Sequence, residues 1–170
     1  MKEIFTIVPA NLYRTTKDVD FHFIPIVPNM KSIDRVKHGI NAISPGSVGD
    51  VKNPWYMHPH QMDNLIVFYG TRYVELYTKE RGLVQLEVTP EKIMQNGKVL
   101  YEGPALLFWD TYVFHRINSG SEGSMSVNFA QRTNDFDIKN NFNIYDLNLE
   151  TGEYSVIREG HIDQKDIFPE

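Results

Sequence analysis

Three histidines and one aspartate carry the chemistry legible in this sequence. His58 and His60 stand two residues apart in Trp55-Tyr-Met-His58-Pro-His60-Gln-Met-Asp63-Asn-Leu-Ile-Val-Phe-Tyr-Gly70. On an extended strand alternate residues share a face, so this spacing predicts two imidazoles side by side, able to chelate one ion. Asp63 follows after a short break, placed to add an oxygen ligand or, if it binds no metal, to act as a general base. Far along the chain, His115 follows Gly103-Pro-Ala-Leu-Leu-Phe-Trp109-Asp-Thr-Tyr-Val-Phe114. A strand and a turn in that stretch would bring a third imidazole up from an adjacent strand. Imidazoles and a carboxylate suit a divalent ion. Fe(II) is the leading expectation, with Mn, Ni, Co, Zn and Cu as alternatives.

Other residues have weaker reasons to be functional. Tyr56, Asn128 and Arg132 are expected to line a substrate pocket, Asn128 because it sits on the polar face of its strand. Arg72, Arg116 and Arg132 each have the planar fork that binds a substrate carboxylate, although surface ion pairs use the same group. Trp55 and Trp109 are read as core or pocket wall. His22, His38 and His161 lack partners at metal-ligand spacing and are expected to be structural or exposed.

The elements that must position these groups are short and apolar, rich in Val, Ile, Phe and Tyr, and punctuated by Pro and Gly. That texture predicts an all-β protein. Expected strands cover 4–8, 21–27, 36–44, 56–60, 64–69, 73–78, 83–89, 98–101, 105–109 and 124–131, with a turn after Gly70. In Leu83-Val-Gln-Leu-Glu-Val-Thr89, Val84, Leu86 and Val88 share one face and Gln85 and Glu87 the other, so that strand is half buried. Met125, Val127 and Phe129 alternate with Ser126, Asn128 and Ala130, a small or polar face that meets solvent in a sandwich and a ligand cavity in a barrel. Thr89-Pro-Glu-Lys-Ile-Met-Gln-Asn96 is the one expected helix, capped by Thr89 and closed by Gly97. Asn143 to Leu149 and Tyr154 to Ile157 flank Glu150-Thr-Gly-Glu153 and predict a C-terminal β-hairpin, with Gly152 taking the positive φ. Residues 44–54 and 164–170 look disordered from their sequence.

Composition bounds the partners. The chain has 170 residues, enough for one domain, and a formal net charge of −5 without a basic cluster, which leaves no footprint for nucleic acid. It has no cysteine, so disulfides, zinc-thiolate sites, iron–sulfur clusters and thiol nucleophiles are excluded and any metal is held by nitrogen and oxygen. No apolar run is long enough to span a bilayer. Met1-Lys-Glu-Ile-Phe5 lacks the pattern of a secretory signal, which predicts a cytoplasmic protein. The expected partner is a small molecule.

These segments resemble the two cupin motifs. The first pairs His-x-His with an acidic residue and a closing glycine, matched by His58, His60, Asp63 and Gly70, with its opening glycine in Pro45-Gly46-Ser-Val-Gly49. The second is matched at Gly103 and His115. Asp63 stands where Glu is usual and closer to the histidines, Asp110-Thr-Tyr-Val replaces the inner Pro-Gly turn, and Asn118 comes one position early. The resemblance covers about residues 39–132, with N-terminal strands before it and the hairpin at about 143–157 after it. It implies a single cupin domain over 1–170: a double-stranded β-helix, or jelly-roll barrel, with the metal inside, and a homodimer pairing N-terminal strands. The activities it implies range from dioxygenases through isomerases and lyases to non-catalytic binding or sensor proteins. Metal-dependent dioxygenase chemistry on a small molecule is the leading expectation, with an isomerase or lyase and a non-catalytic sensor as alternatives.

Overall fold

The computed structural model describes residues 4–9, 11–16, 19–23 and 30–163. In chain order the strands are β1 (Thr6–Pro9), β2 (Asn11–Thr16), β3 (Val19–Phe23), β4 (Met30–His38), β5 (Ile43–Ser44), β6 (Trp55–Tyr56), β7 (Gln61–Thr78), β8 (Gly82–Val88), β9 (Lys92–Gln95), β10 (Lys98–Glu102), β11 (Ala105–Trp109), β12 (Phe114–Arg132), β13 (Ile144–Leu147) and β14 (Tyr154–Arg158). A single helical turn, α1 (Ile138–Asn141), precedes β13. The expected strand at 21–27 is partly seen in β3, its remainder lying outside the described residues, as does the stretch at 164–170.

Two long strands organise the barrel. Both halves of β7 pair antiparallel with β12, and the register shifts between Ser119 and Ser124. The first half of β7 also pairs with β11 and the second half with β8. Along β12, the early residues pair with β5 and β6 and the later ones with β4. Each strand therefore contributes to two sheet segments, and the sheet folds over on itself as an all-β barrel of jelly-roll type, with the β13–β14 hairpin joined through β6. β2 and β3 form a separate hairpin.

The fold-over needs glycine. At Gly70 φ is +69°, and a Cβ there would lie 2.0 Å from the Gly123 carbonyl oxygen, so no other residue fits without moving the chain. Gly123 faces it with φ +76°. The turn expected after Gly70 is thus a bend within one continuous strand.

The interior holds Leu65, Val67, Val74, Leu76, Leu86, Val88, Leu107 and Trp109. A second cluster of Trp55, Met57, Tyr77, Phe114, Tyr145 and Leu147 fastens the C-terminal hairpin to the end of the barrel that carries His58 and His115. On β8, Leu86 and Val88 are buried and Leu83 and Gln85 exposed, as the alternation requires.

Two expectations are corrected. The segment 89–96 is no helix: Lys92–Gln95 is a strand joined to β10 across Asn96-Gly97, both at positive φ (51° and 76°). Asn-Gly is the side-chain pair that a two-residue hairpin turn demands, and it outweighs a helical reading of Pro90. Thr89 does cap, but its Oγ1 accepts from Glu91 and Lys92 amides in a turn leading into β9. The segment 44–54 is a tied loop in which Val48 and Val51 exchange backbone hydrogen bonds at 3.0 Å, with Pro45 and Pro54 fully buried.

Candidate metal centre

Three of the four expected ligands converge. One ligand atom each from His58, Asp63 and His115 lies within 4.8 Å of the others, and all three side chains are buried. Asp63 is near the start of β7, whose side-chain alternation turns Gln61, Asp63 and Leu65 toward the interior. His115 is the second residue of β12, opposite Tyr56 of β6. His58 lies in the loop between β6 and β7, held by two backbone contacts: its carbonyl accepts from the Tyr112 amide at 3.0 Å, and the His60 carbonyl accepts from the Thr133 amide at 3.0 Å.

His60 lies apart from the other three. The strand expected over 56–60 stops at Tyr56 and resumes at Gln61, so His58 and His60 do not share a strand face. Pro59 cannot donate to a ladder, and the chain turns there. His60 stands outside the converging group, with Nδ1 paired to Thr133 Oγ1 at 3.1 Å.

Hydrogen bonds around the three groups fix which atoms face inward. His58 Nδ1 lies 2.6 Å from the Asn141 carbonyl, and His115 Nδ1 lies 3.2 Å from the Val113 carbonyl. A carbonyl only accepts, so both Nδ1 atoms donate and both Nε2 atoms keep a lone pair. Asp63 Oδ1 accepts from Gln61 Nε2 at 2.9 Å and from Asn128 Nδ2 at 2.7 Å. Its Oδ2 is left facing His58 Nε2 at 3.6 Å and His115 Nε2 at 3.8 Å. Those separations are too long for hydrogen bonds. With both imidazoles neutral, three lone-pair atoms point at one another across a gap with no donor among them, a set that a cation would satisfy. Burial above all, and then the neighbouring His58, depress the His115 pKa to about 4 against the pull of Asp63. The imidazole is therefore neutral and free to ligate at neutral pH. This donor set fits a divalent metal ion.

The group opens on a cavity of about 270 Å³, at the small end of ligand pockets. Its wall around His58 and His115 is aromatic: the His115 ring centroid lies 5.3 Å from Trp109 and 6.0 Å from Tyr56, and Phe142 meets His58 edge-on at 5.1 Å. The polar face of β12 lines this cavity through Ser126 and Asn128, which answers the choice between solvent and cavity left open by its alternation. Tyr56 and Asn128 are therefore where a pocket role requires. Arg132 is not in the wall: its Nε donates to Gln61 Oε1 at 3.3 Å and its guanidinium stacks 3.9 Å over Phe136, so it reaches Asp63 only through Gln61.

Sequence reasoning passed over Gln61, whose signal was its place two residues before Asp63 on the same strand face. The contact from Asn141 was invisible because it uses a backbone carbonyl. Trp55 is core, stacked against Arg116, which pairs with Glu75. His161 is exposed beside Glu159, and the side chain of His22 lies outside the described residues. His38 is half-buried in the cavity wall.

No protein-family model matches the chain, and no curated protein matches it. Among solved structures it is similar to QdtA, a sugar 3,4-ketoisomerase from Thermoanaerobacterium thermosaccharolyticum determined in complex with TDP. The TM-score is 0.54 at 13% identity, over 79% of this chain and 85% of that one. At that identity the likeness concerns the fold, a cupin-like β-barrel. No described helix is long and apolar enough to cross a membrane.

Proposed function

We propose that this protein is a metal-dependent enzyme acting on a small molecule, with His58, Asp63 and His115 holding one divalent ion. The observation that carries the reading is the inward convergence of two imidazole lone pairs and one carboxylate oxygen, each oriented from behind by a hydrogen bond. Two histidines and one carboxylate leave coordination positions open toward the cavity, the arrangement associated with non-haem Fe(II) oxygenases. Dioxygenase chemistry with Fe(II) is accordingly the proposed activity.

When bound, the ion supplies Lewis acidity and, as iron, the capacity to activate O2. The remaining roles fall to the chain. Gln61 and Asn128 hold the Asp63 carboxylate in one rotamer, Trp109, Tyr56 and Phe142 exclude water from the reacting end, and the cavity size selects a small substrate. His60 has no place in the proposed ligand set.

The test is metal analysis of protein purified without chelator, followed by oxygen uptake with a panel of carboxylic acids and catechols. Stoichiometric iron and substrate-dependent oxygen consumption are expected. Protein that carries no metal, and whose melting temperature does not respond to a chelator or to added Fe(II), would sink the reading.

A second reading has its own support in the likeness to a sugar ketoisomerase. Here the same site catalyses an isomerisation, through the ion's polarisation of a carbonyl or with Asp63 as the base. Turnover of a ketosugar under argon, with no oxygen consumed in air, would select it over the dioxygenase.

A further inference from the structure

Arg72 lies on β7 just past the Gly70 bend, only 1% exposed, and lines the same cavity as His58, Asp63 and His115. Its Nε donates to Ser124 Oγ at 3.1 Å and its Nη2 to the Val36 carbonyl at 3.1 Å. Both acceptors are neutral, and no carboxylate among the described residues lies within ion-pair distance of it. A buried guanidinium without a counter-charge is unfavourable, and folded proteins pair such groups. Burial depresses its pKa to about 10, so it still carries its charge at neutral pH.

The surroundings are polar and unsatisfied. His38 Nδ1 and Ser126 Oγ are buried, lack hydrogen-bond partners and line the cavity beside Arg72. They come from neighbouring strands, since His38 is opposite Ser124 and Val36 opposite Ser126 in the β4–β12 register. Burial, and then the Arg72 charge, depress the His38 pKa to about 4, so it adds no positive charge at neutral pH. At the other end, Trp109 Nε1 is likewise buried without a partner.

We propose that Arg72 anchors the carboxylate of a small monoanionic acid whose reacting end lies at His58, Asp63 and His115. This deepens the metal-site reading and rests on it for the reacting end alone. A single buried guanidinium balances one negative charge, which is the charge of a carboxylate and less than that of a phosphate dianion. The register separates the two ends: Arg72 pairs with Ser119 and Leu76 with His115, four residues along β7, or about 13 Å of strand. The anchored group is therefore remote from the reacting atoms, and Arg72 selects and orients the substrate.

The experiment compares binding of 3,4-dihydroxybenzoate and 3,4-dihydroxybenzamide by calorimetry, on protein reconstituted anaerobically with Fe(II) and on chelator-treated protein. 3,4-Dihydroxycinnamate and its amide serve as a second, longer pair and inorganic phosphate as a competitor. Wild-type protein is expected to bind acids roughly tenfold or more tightly than amides. Arg72→Gln should erase that preference and Arg72→Lys should keep part of it, with circular dichroism showing all three folded. The preference should persist without metal, so failure of the metal site leaves it intact and the two ideas fail separately. Equal affinity of acid and amide in the wild type, no saturable binding of either acid, or phosphate binding tighter than both acids overturns the proposal. The wild-type comparison decides the matter even if Arg72→Gln does not fold.

Discussion

Asn128 Nδ2 donates to Asp63 Oδ1 at 2.7 Å, and together with the bond from Gln61 to the same oxygen this leaves Oδ2 to face the two imidazoles. Asn128 is itself fixed, because its Oδ1 accepts from the Asn64 amide at 2.7 Å. The pair links β12 to β7 at the site and holds Oδ2 between His58 and His115.

Asn128→Ala is expected to weaken metal affinity by about 10- to 100-fold, the usual cost of losing a group that orients a ligand. Competition against a chromophoric chelator measures it. An unchanged affinity in a folded variant would show that Gln61 alone orients the carboxylate.

Single alanine substitutions separate the histidines. His58→Ala, Asp63→Ala and His115→Ala should each abolish metal retention, whereas His60→Ala should retain a full equivalent, read by elemental analysis after gel filtration. Loss of metal in His60→Ala, with its circular dichroism spectrum unchanged, would return His60 to the ligand set.

Gly70→Ala should destabilise the protein by about 2 kcal/mol or more, since it combines a strained positive φ with a backbone clash against Gly123. Urea unfolding gives the value. By contrast Gly82→Ala, at a similar φ of 70° but with nothing within 4 Å, carries only the backbone strain and should cost less.

Stability of the metal-free protein should fall as pH drops from about 6.5 toward 4. His38 has a folded pKa of about 4 against an ordinary 6.5, so across that window the unfolded chain holds a proton that the native state refuses. The contribution is fully present above pH 6.5 and is lost on acidification; His115 acts in the same sense. The urea midpoint followed against pH measures this, and His38→Gln should flatten the slope. A midpoint that rises between pH 6.5 and 4 would contradict the assigned sign.

The strands were legible because β7, β8, β11 and β12 carry their alternation or apolar runs locally, and side-chain period is a property of neighbours in sequence. The Asn96-Gly97 turn was equally local, yet a capping pattern at Thr89 and Pro90 competed with it, and pairing of β9 with β8 settled the outcome. Among the site residues, His58, Asp63 and His115 were identifiable by residue type and by their resemblance to two motifs. What the sequence by itself determined is an all-β chain whose metal-binding chemistry includes no thiolate, since no cysteine is present.

Tertiary structure decided which donors meet. The separation of His58 from His60 depends on where β6 ends and β7 begins, and the chain turns between them at Pro59. The inward-facing lone pairs depend on carbonyls of Asn141 and Val113, and every residue owns a carbonyl, so no residue type announces them. Arg72 is indistinguishable in sequence from Arg116 and Arg132, each a possible carboxylate anchor or surface ion-pair partner, until the fold buries it beside the cavity. Residue chemistry is local, while convergence and burial arise from chain segments far apart in sequence.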